Sequence, residues 1–296
     1  SLWIAEGLTS YYDRLFVRRA GLCSIEEYLA GDVPPDGDKP IGEIERLQTT
    51  PGRLVQPLES ASFDAWIKYY RRDENTANTA VSYYIKGAVA GFLLDARIRA
   101  ATDDRKSLDD VMRLAYSRYS GAKGFTPEEF RATANEVAGT DLSAWFHRAL
   151  QSTEELDYAE ALSWWGLRFA PVKDEDAKGG VSAKPPKAWL GLETKVEDGR
   201  LVVAVVKRET PGVEAGFNVG DEIIGIGDDR IRPGQWSKKM EFFRPGDKLS
   251  VLIARRDRLI RIPATFGQEP PKRWTLELDP KADDAQKAHR AAWLRD

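Results

Sequence analysis

The feature that most constrains this chain is a change of hydrophobic period partway along it. Up to about residue 170 the apolar residues recur at helical spacing. Leu8, Tyr11, Tyr12, Leu15, Phe16 and Ala20 form one such stripe, which predicts a helix over 8–22 with Gly21 as its stop. Ser24 and Glu27 form a capping box ahead of Tyr28 and Leu29. Phe63, Trp66, Ile67 and Tyr70 make a stripe over 60–70. Ser107 caps a helix over 108–119, and Thr126-Pro127 with Glu129 opens the next. A shorter helix runs from Thr140-Asp141 through Trp145, Phe146 and Leu150. Beyond residue 187 the period becomes two. Leu201, Val203 and Val205 alternate with Val202, Ala204 and Val206, and Asp198-Gly199 before them is a hairpin turn. Further short strands are predicted over 221–226, 249–254 and 259–263, with short helices over 211–216 and 235–243.

Between the two regimes, residues 171–187 hold almost no large apolar side chain and read as a linker. The expected fold class is therefore α+β and multidomain. A mostly helical domain over 1–170 is followed by the linker, a small β-rich module over 188–267, and a tail over 268–296 with a strand near 274–278 and a helix over 283–294.

Composition narrows the chemistry. Lys and Arg number 44 against 47 Asp and Glu, a net charge of −3, which argues against a nucleic-acid partner held through its phosphates. No apolar run approaches the roughly 20 residues that a membrane-spanning helix needs. The lone Cys23 excludes a disulfide framework and a cysteine-rich zinc site, and nothing near it suggests thiolate activation. The two histidines, His147 and His289, lie far apart in the chain and exclude a histidine-rich metal site built by these residues alone. No signal-peptide pattern opens the chain, and Ser1–Gly7 already reads as the interior of a structured element.

One helix stands apart. From Val81 to Ala100 the sequence is apolar nearly all round, which predicts burial on every side. Tyr84, Gly87, Ala88 and Gly91 share one face, small enough for another backbone or a ligand to approach closely. Each glycine inside a helix costs up to about 1 kcal/mol relative to Ala, so the pair needs a reason. Lys86 on this helix must find a carboxylate or reach the surface.

The β-rich module resembles a circularly permuted PDZ domain of the bacterial type. The resemblance is carried by Trp189-Leu190-Gly191-Leu192, by Thr210-Pro211-Gly212-Val213-Glu214-Ala215-Gly216-Phe217, by Gly220-Asp221-Glu222-Ile223, and by Pro245-Gly246-Asp247 before the last hairpin. It implies capture of peptide or protein C-termini. The backbone amides of Leu190, Gly191 and Leu192 would form a nest for a terminal carboxylate. The strand over 191–196 would accept an extended peptide, Leu190, Leu192 and Met240 would give an apolar floor, and Lys187 would add modest attraction. Bulky Trp189 and Trp236 leave open the alternative that the chain fills its own groove.

The helical part resembles the C-terminal half of the catalytic region of glycyl aminopeptidase-type zinc metallopeptidases, metallopeptidase family 61. The carrying residues are Leu2-Trp3-Ile4-Ala5-Glu6-Gly7-Leu8, Ala61-Ser62-Phe63-Asp64-Ala65-Trp66, Glu74-Asn75-Thr76-Ala77-Asn78, Val81-Ser82-Tyr83-Tyr84-Ile85-Lys86-Gly87 and Leu108-Asp109-Asp110-Val111-Met112. The resemblance implies a gluzincin-like fold and hydrolysis of N-terminal residues of peptides, with a preference for small ones such as glycine. It implies a zinc site in which Glu6 is the third protein ligand and Tyr84 the phenol that holds the tetrahedral oxyanion. It also suggests a periplasmic or secreted setting. The sequence departs from the family in containing no His-Glu-x-x-His. The two histidine ligands and the general-base Glu are therefore expected upstream of Ser1, in another part of the same protein, and this chain alone is expected to be inactive and to bind no zinc tightly. The rival reading is a non-catalytic module, a helical platform plus a PDZ groove, that binds peptide C-termini.

Overall fold

The computed structural model describes residues 1–31, 42–171, 187–270 and 274–295, so nearly all of the linker assigned to 171–187 lies outside the described residues. The chain divides into two compact units. One comprises Ser1–Arg71, Thr79–Pro171 and Lys272–Asp296; the other comprises Arg72–Asn78 and Val172–Pro271.

In the first unit the apolar run becomes the helix Tyr83–Thr102, buried along almost its whole length. Ser82 caps it by accepting from the Ile85 amide at 3.3 Å, and Asp103 ends it in the left-handed conformation. The chain's first helix crosses it in direct backbone contact. A π-helical segment, Trp3–Leu8, runs straight into the α-helix Thr9–Arg19. A Cβ added at Gly7 would lie 2.6 Å from the Gly87 Cα, and one at Gly91 would lie 2.9 Å from Leu8 Cδ2. Close helix crossing is therefore the reason for the glycines: no larger residue fits at Gly7 or Gly87 without separating the backbones.

The predicted starts at Ser24, Ser107 and Thr126 are all realised as capping boxes, opening Ile25–Ala30, Leu108–Tyr119 and Pro127–Ala138. The 60–70 stripe differs from its expectation. It forms two short pieces, Leu58–Phe63 and a π-helical turn Ala65–Tyr69, meeting at Asp64. The break and the wider π turn rotate the helical register. Ala61, Ser62 and Ala65 face the core instead, and Ser62 Oγ accepts from the Trp3 amide at 2.9 Å. The aromatic stripe is left outside, with Phe63 89% and Trp66 74% exposed.

The tail completes this unit. Leu276–Leu278 pairs antiparallel with Leu167–Phe169, and the helix Asp284–Leu294 carries Trp293 into the core. Trp293 stacks on Trp165 with ring centroids 4.0 Å apart, and its Nε1 donates to the Tyr11 hydroxyl at 2.8 Å. Tyr11 donates in turn to Asp95 Oδ2 at 2.8 Å. Asp95, fully buried, also accepts from Arg99 Nε at 3.1 Å and from the Leu108 amide at 2.9 Å.

Lys86 neither reaches the surface nor finds a close carboxylate. It is buried, and its Nζ lies 3.5 Å from the Arg53 carbonyl oxygen. Burial pushes its pKa down to about 8, with the more distant Glu155 opposing that shift. The ammonium form therefore costs stability below pH 8, and the penalty is relieved as pH rises from about 8 toward the unfolded value near 10.4. Lys86→Met should stabilise the helical unit at pH 7 by about 1–3 kcal/mol. The difference should shrink in urea denaturation at pH 10; equal stabilities at pH 7 would contradict this account.

The second unit is an antiparallel sheet in the order Leu192–Glu197, Arg200–Val206, Glu222–Ile226, Lys248–Arg255, Arg258–Thr265. Ala188–Trp189 pairs separately with Gly267–Gln268. Helices Pro211–Ala215 and Trp236–Met240 accompany the sheet, as the motifs predict. Val203, Ile223, Val251, Ile253, Ile262 and Phe266 form its core. Asp221, fully buried, is held by Arg255 through Nε at 2.7 Å and Nη2 at 2.8 Å. Asn78 belongs to this unit as well. Its amide donates to the Val206 carbonyl at 2.8 Å and accepts from the Arg208 amide at 2.9 Å, pairing with that backbone as a strand residue would.

Candidate functional site

The crossing at Gly7 and Gly87 sets the geometry of the first candidate site. Glu6 is the residue before one glycine, and Tyr84 lies one helical turn before the other. Both side chains are half-buried. They are near enough that the Glu6 carboxylate acts on the Tyr84 phenol. A hydrogen bond from Tyr83 pulls that phenol down, but hydrogen bonding to Tyr70, partial burial and the Glu6 charge outweigh it and hold the phenol above its ordinary value. At neutral pH Tyr84 is thus an uncharged donor within electrostatic reach of a carboxylate, in the first turn of a helix whose N-terminal dipole favours negative charge.

Three tyrosine hydroxyls gather here, a feature the sequence reading did not include. The Tyr70 and Tyr83 hydroxyls are 2.8 Å apart, and the Tyr83 and Tyr84 rings stack with centroids at 4.6 Å. Adjacency of Tyr83 and Tyr84 is visible in the sequence. Tyr70 arrives only through the fold.

A catalytic zinc ion takes three protein ligands and a water. Among the described residues no group of three or more His, Cys, Asp or Glu side chains is placed to hold a metal. His147 is exposed, with Nδ1 3.1 Å from Gln151 Oε1; His289 pairs with Asp104 and stacks on Trp164. Glu6 therefore stands as a single candidate ligand, and the described residues do not by themselves fit a zinc site.

The second candidate site is the glycine loop of the sheet unit. Gly191 adopts φ +74, and a Cβ there would also fall 2.4 Å from Thr210 Cβ, so both conformation and packing demand glycine. The Leu190 carbonyl accepts from the Gly212 amide at 2.7 Å and the Gly191 carbonyl from the Lys207 amide at 2.9 Å, which fixes the loop over the Pro211–Ala215 helix. Leu190, Met240 and Trp236 are buried in this unit's core, while Leu192 and Trp189 are half-buried. Leu192–Glu197 is the edge strand, with its outer side unpaired among the described residues. Lys187 is exposed and pairs with Glu241 at 3.3 Å, which takes up part of the charge that would draw a carboxylate.

Residues 1–90 match the family model of the M61 glycyl aminopeptidases, and residues 188–263 match the PDZ domain model. No curated protein matches the chain. Among solved structures, an aminopeptidase N family protein from Idiomarina loihiensis matches at a TM-score of 0.81 and 27% identity, over 99% of this chain and 48% of that one. The chain thus spans about half the length of that structure. A PDZ domain of a carboxy-terminal protease from Vibrio cholerae, in complex with peptide, matches at 16% identity and a TM-score of 0.25, over 28% of this chain and 97% of that one. An HtrA-type protease with a decapeptide matches at 29% identity and a TM-score of 0.28, over 29% of this chain and 30% of that one. At such TM-scores the last two carry no weight here. Residues 1–90 are accordingly similar to a segment of the M61 glycyl aminopeptidases, and residues 188–263 to a PDZ domain.

Proposed function

We propose that this chain is the part of a zinc aminopeptidase that supplies one metal ligand, Glu6, and the oxyanion donor, Tyr84, and that carries a PDZ module for peptide C-termini. What supports the reading is the close Gly7–Gly87 crossing, with Glu6 next to one glycine and Tyr84 one turn before the other, inside the segment that matches the M61 family model. Zinc bound in the whole enzyme would supply Lewis acidity and an activated water. Tyr84 would donate its hydroxyl proton in a hydrogen bond to the oxyanion that forms when the scissile carbonyl is attacked. The substrates would be peptides with small N-terminal residues, and the setting periplasmic or secreted, both on the strength of the family resemblance.

The remaining ligands and the general base would come from outside these 296 residues. Dialysed chain is therefore expected to hold far less than stoichiometric zinc and to release no glycine from a glycyl peptide. Stoichiometric zinc together with activity would overturn that division of the site. The coding sequence directly upstream of Ser1 provides the other check. His-Glu-x-x-His encoded there supports the enzyme, whereas a gene start there favours the non-catalytic module.

For the PDZ module, the edge strand and the glycine nest support weak capture of C-termini ending in an apolar residue. A calorimetric titration should show binding of a free-acid peptide that weakens at least about tenfold on C-terminal amidation, worth about 1.4 kcal/mol. Gly191→Val should abolish it. Equal affinity for both peptide forms would mean that the glycine loop does not read the carboxylate.

A further inference from the structure

The first turn of the Tyr83–Thr102 helix carries two adjacent tyrosines whose rings stack, with centroids 4.6 Å apart and planes inclined by 29°. Consecutive helical residues point roughly 100° apart and do not ordinarily face one another. Something must hold both rings. Tyr83 is 1% exposed, and its hydroxyl meets the half-exposed Tyr70 at 2.8 Å. The Tyr69 ring packs on Tyr83 at 5.5 Å, and the Tyr69 hydroxyl donates at 3.3 Å to Ser82, the cap of the same helix. The Trp66 ring lies against that of Tyr70, with centroids 5.1 Å apart. The π-helical turn Ala65–Tyr69 and the residue after it thus grip the start of the central helix from the Tyr83 side.

Packing alone does not account for a tyrosine at 83. Phenylalanine would fill the same space, and a buried hydroxyl is tolerated only because it is hydrogen-bonded. What the hydroxyl pair adds is orientation. We propose that Tyr83 and Tyr70 are positioning residues for Tyr84: their linked hydroxyls and the Tyr83 ring hold the Tyr84 phenol in a single rotamer. This rests on the reading of Tyr84 as the oxyanion donor. Each phenol carries a single proton. A chain in which Tyr70 donates to Tyr83, and Tyr83 to Tyr84, leaves the Tyr84 proton for an acceptor outside the protein, and hydrogen bonds aligned this way polarise one another.

The test uses the 296-residue chain labelled with [13Cε]tyrosine. The Tyr84 ring signal is assigned by its loss in Tyr84→Phe. It should shift and broaden in Tyr83→Phe and in Tyr70→Phe, while the ring signal of Tyr158, elsewhere in the same unit, stays in place. Both variants keep the ring, and Tyr70 is half exposed, so at least the Tyr70 variant should fold normally. An unchanged Tyr84 signal in both overturns the proposal. In the whole enzyme, Tyr83→Phe should lower kcat about tenfold at unchanged KM. The Tyr83→Phe/Tyr84→Phe double variant should then lose no more than Tyr84→Phe alone, because one residue acts through the other. Additive losses overturn the positioning role. A Tyr84→Phe enzyme with full turnover removes the oxyanion reading, and the ring signals still decide whether Tyr83 and Tyr70 hold Tyr84.

Discussion

On the proposed aminopeptidase reading, Tyr84→Phe in the whole protein should lower kcat by about 10²–10³-fold, the loss typical of one oxyanion donor, with KM nearly unchanged. The phenylalanine keeps the stack on Tyr83, so folding should be unaffected. Only the proton donor is removed. Glu6→Ala should act differently, by weakening metal retention, which separates the two roles by metal analysis of the purified variants. Near-normal turnover of Tyr84→Phe would reduce Tyr84 to a packing residue. The approach of the Glu6 and Tyr84 segments also depends on Gly87, where an added Cβ would lie 2.8 Å from the Gly7 Cα. Gly87→Ala would force the two backbones apart, so it should impair turnover even though it touches neither functional group.

Asp95→Ala should destabilise the helical unit by about 3–5 kcal/mol. The substitution leaves the Tyr11 hydroxyl without its acceptor and the Leu108 amide unpaired, and it strips Arg99 of one of its two carboxylates. Buried donors without acceptors each cost about 1–3 kcal/mol. The damage should extend to the tail, because Trp293 donates to the same Tyr11 hydroxyl. Urea denaturation followed by tryptophan fluorescence measures the loss. A change below about 1 kcal/mol would mean that the network does little beyond repaying its own desolvation.

Much of the local structure was legible from residues alone. Caps at Ser24, Ser107 and Thr126 are decided by side chains within three positions of the backbone they satisfy, so no distant information is needed. The all-round apolar pattern of 81–100 specified a buried helix for a similar reason: no face of it can meet water. The PDZ turns were readable because Gly191, Gly199 and Gly216 adopt backbone conformations that other residues resist.

The candidate site was legible only in pieces. Glu6 and Tyr84 could be named through resemblance to a family, but 78 positions separate them, and no local rule says that they meet. What brings them within reach of one another is two glycines finding each other across a helix crossing, a long-range event whose chain-entropy cost is repaid only by the whole core. The outward turn of Trp66 and Tyr70 follows from the break at Asp64, which shifts the helical register in a way that a count of apolar spacings does not register. By itself the sequence determined the element types, their caps and the two-regime architecture, because propensity, capping and turn chemistry act over a few residues. Tertiary structure alone decided that the tail packs Trp293 onto Trp165 and that Lys86 is buried. It alone also decided that Tyr70 joins Tyr83 beside Tyr84, because each of these depends on which surfaces a folded core leaves to be filled.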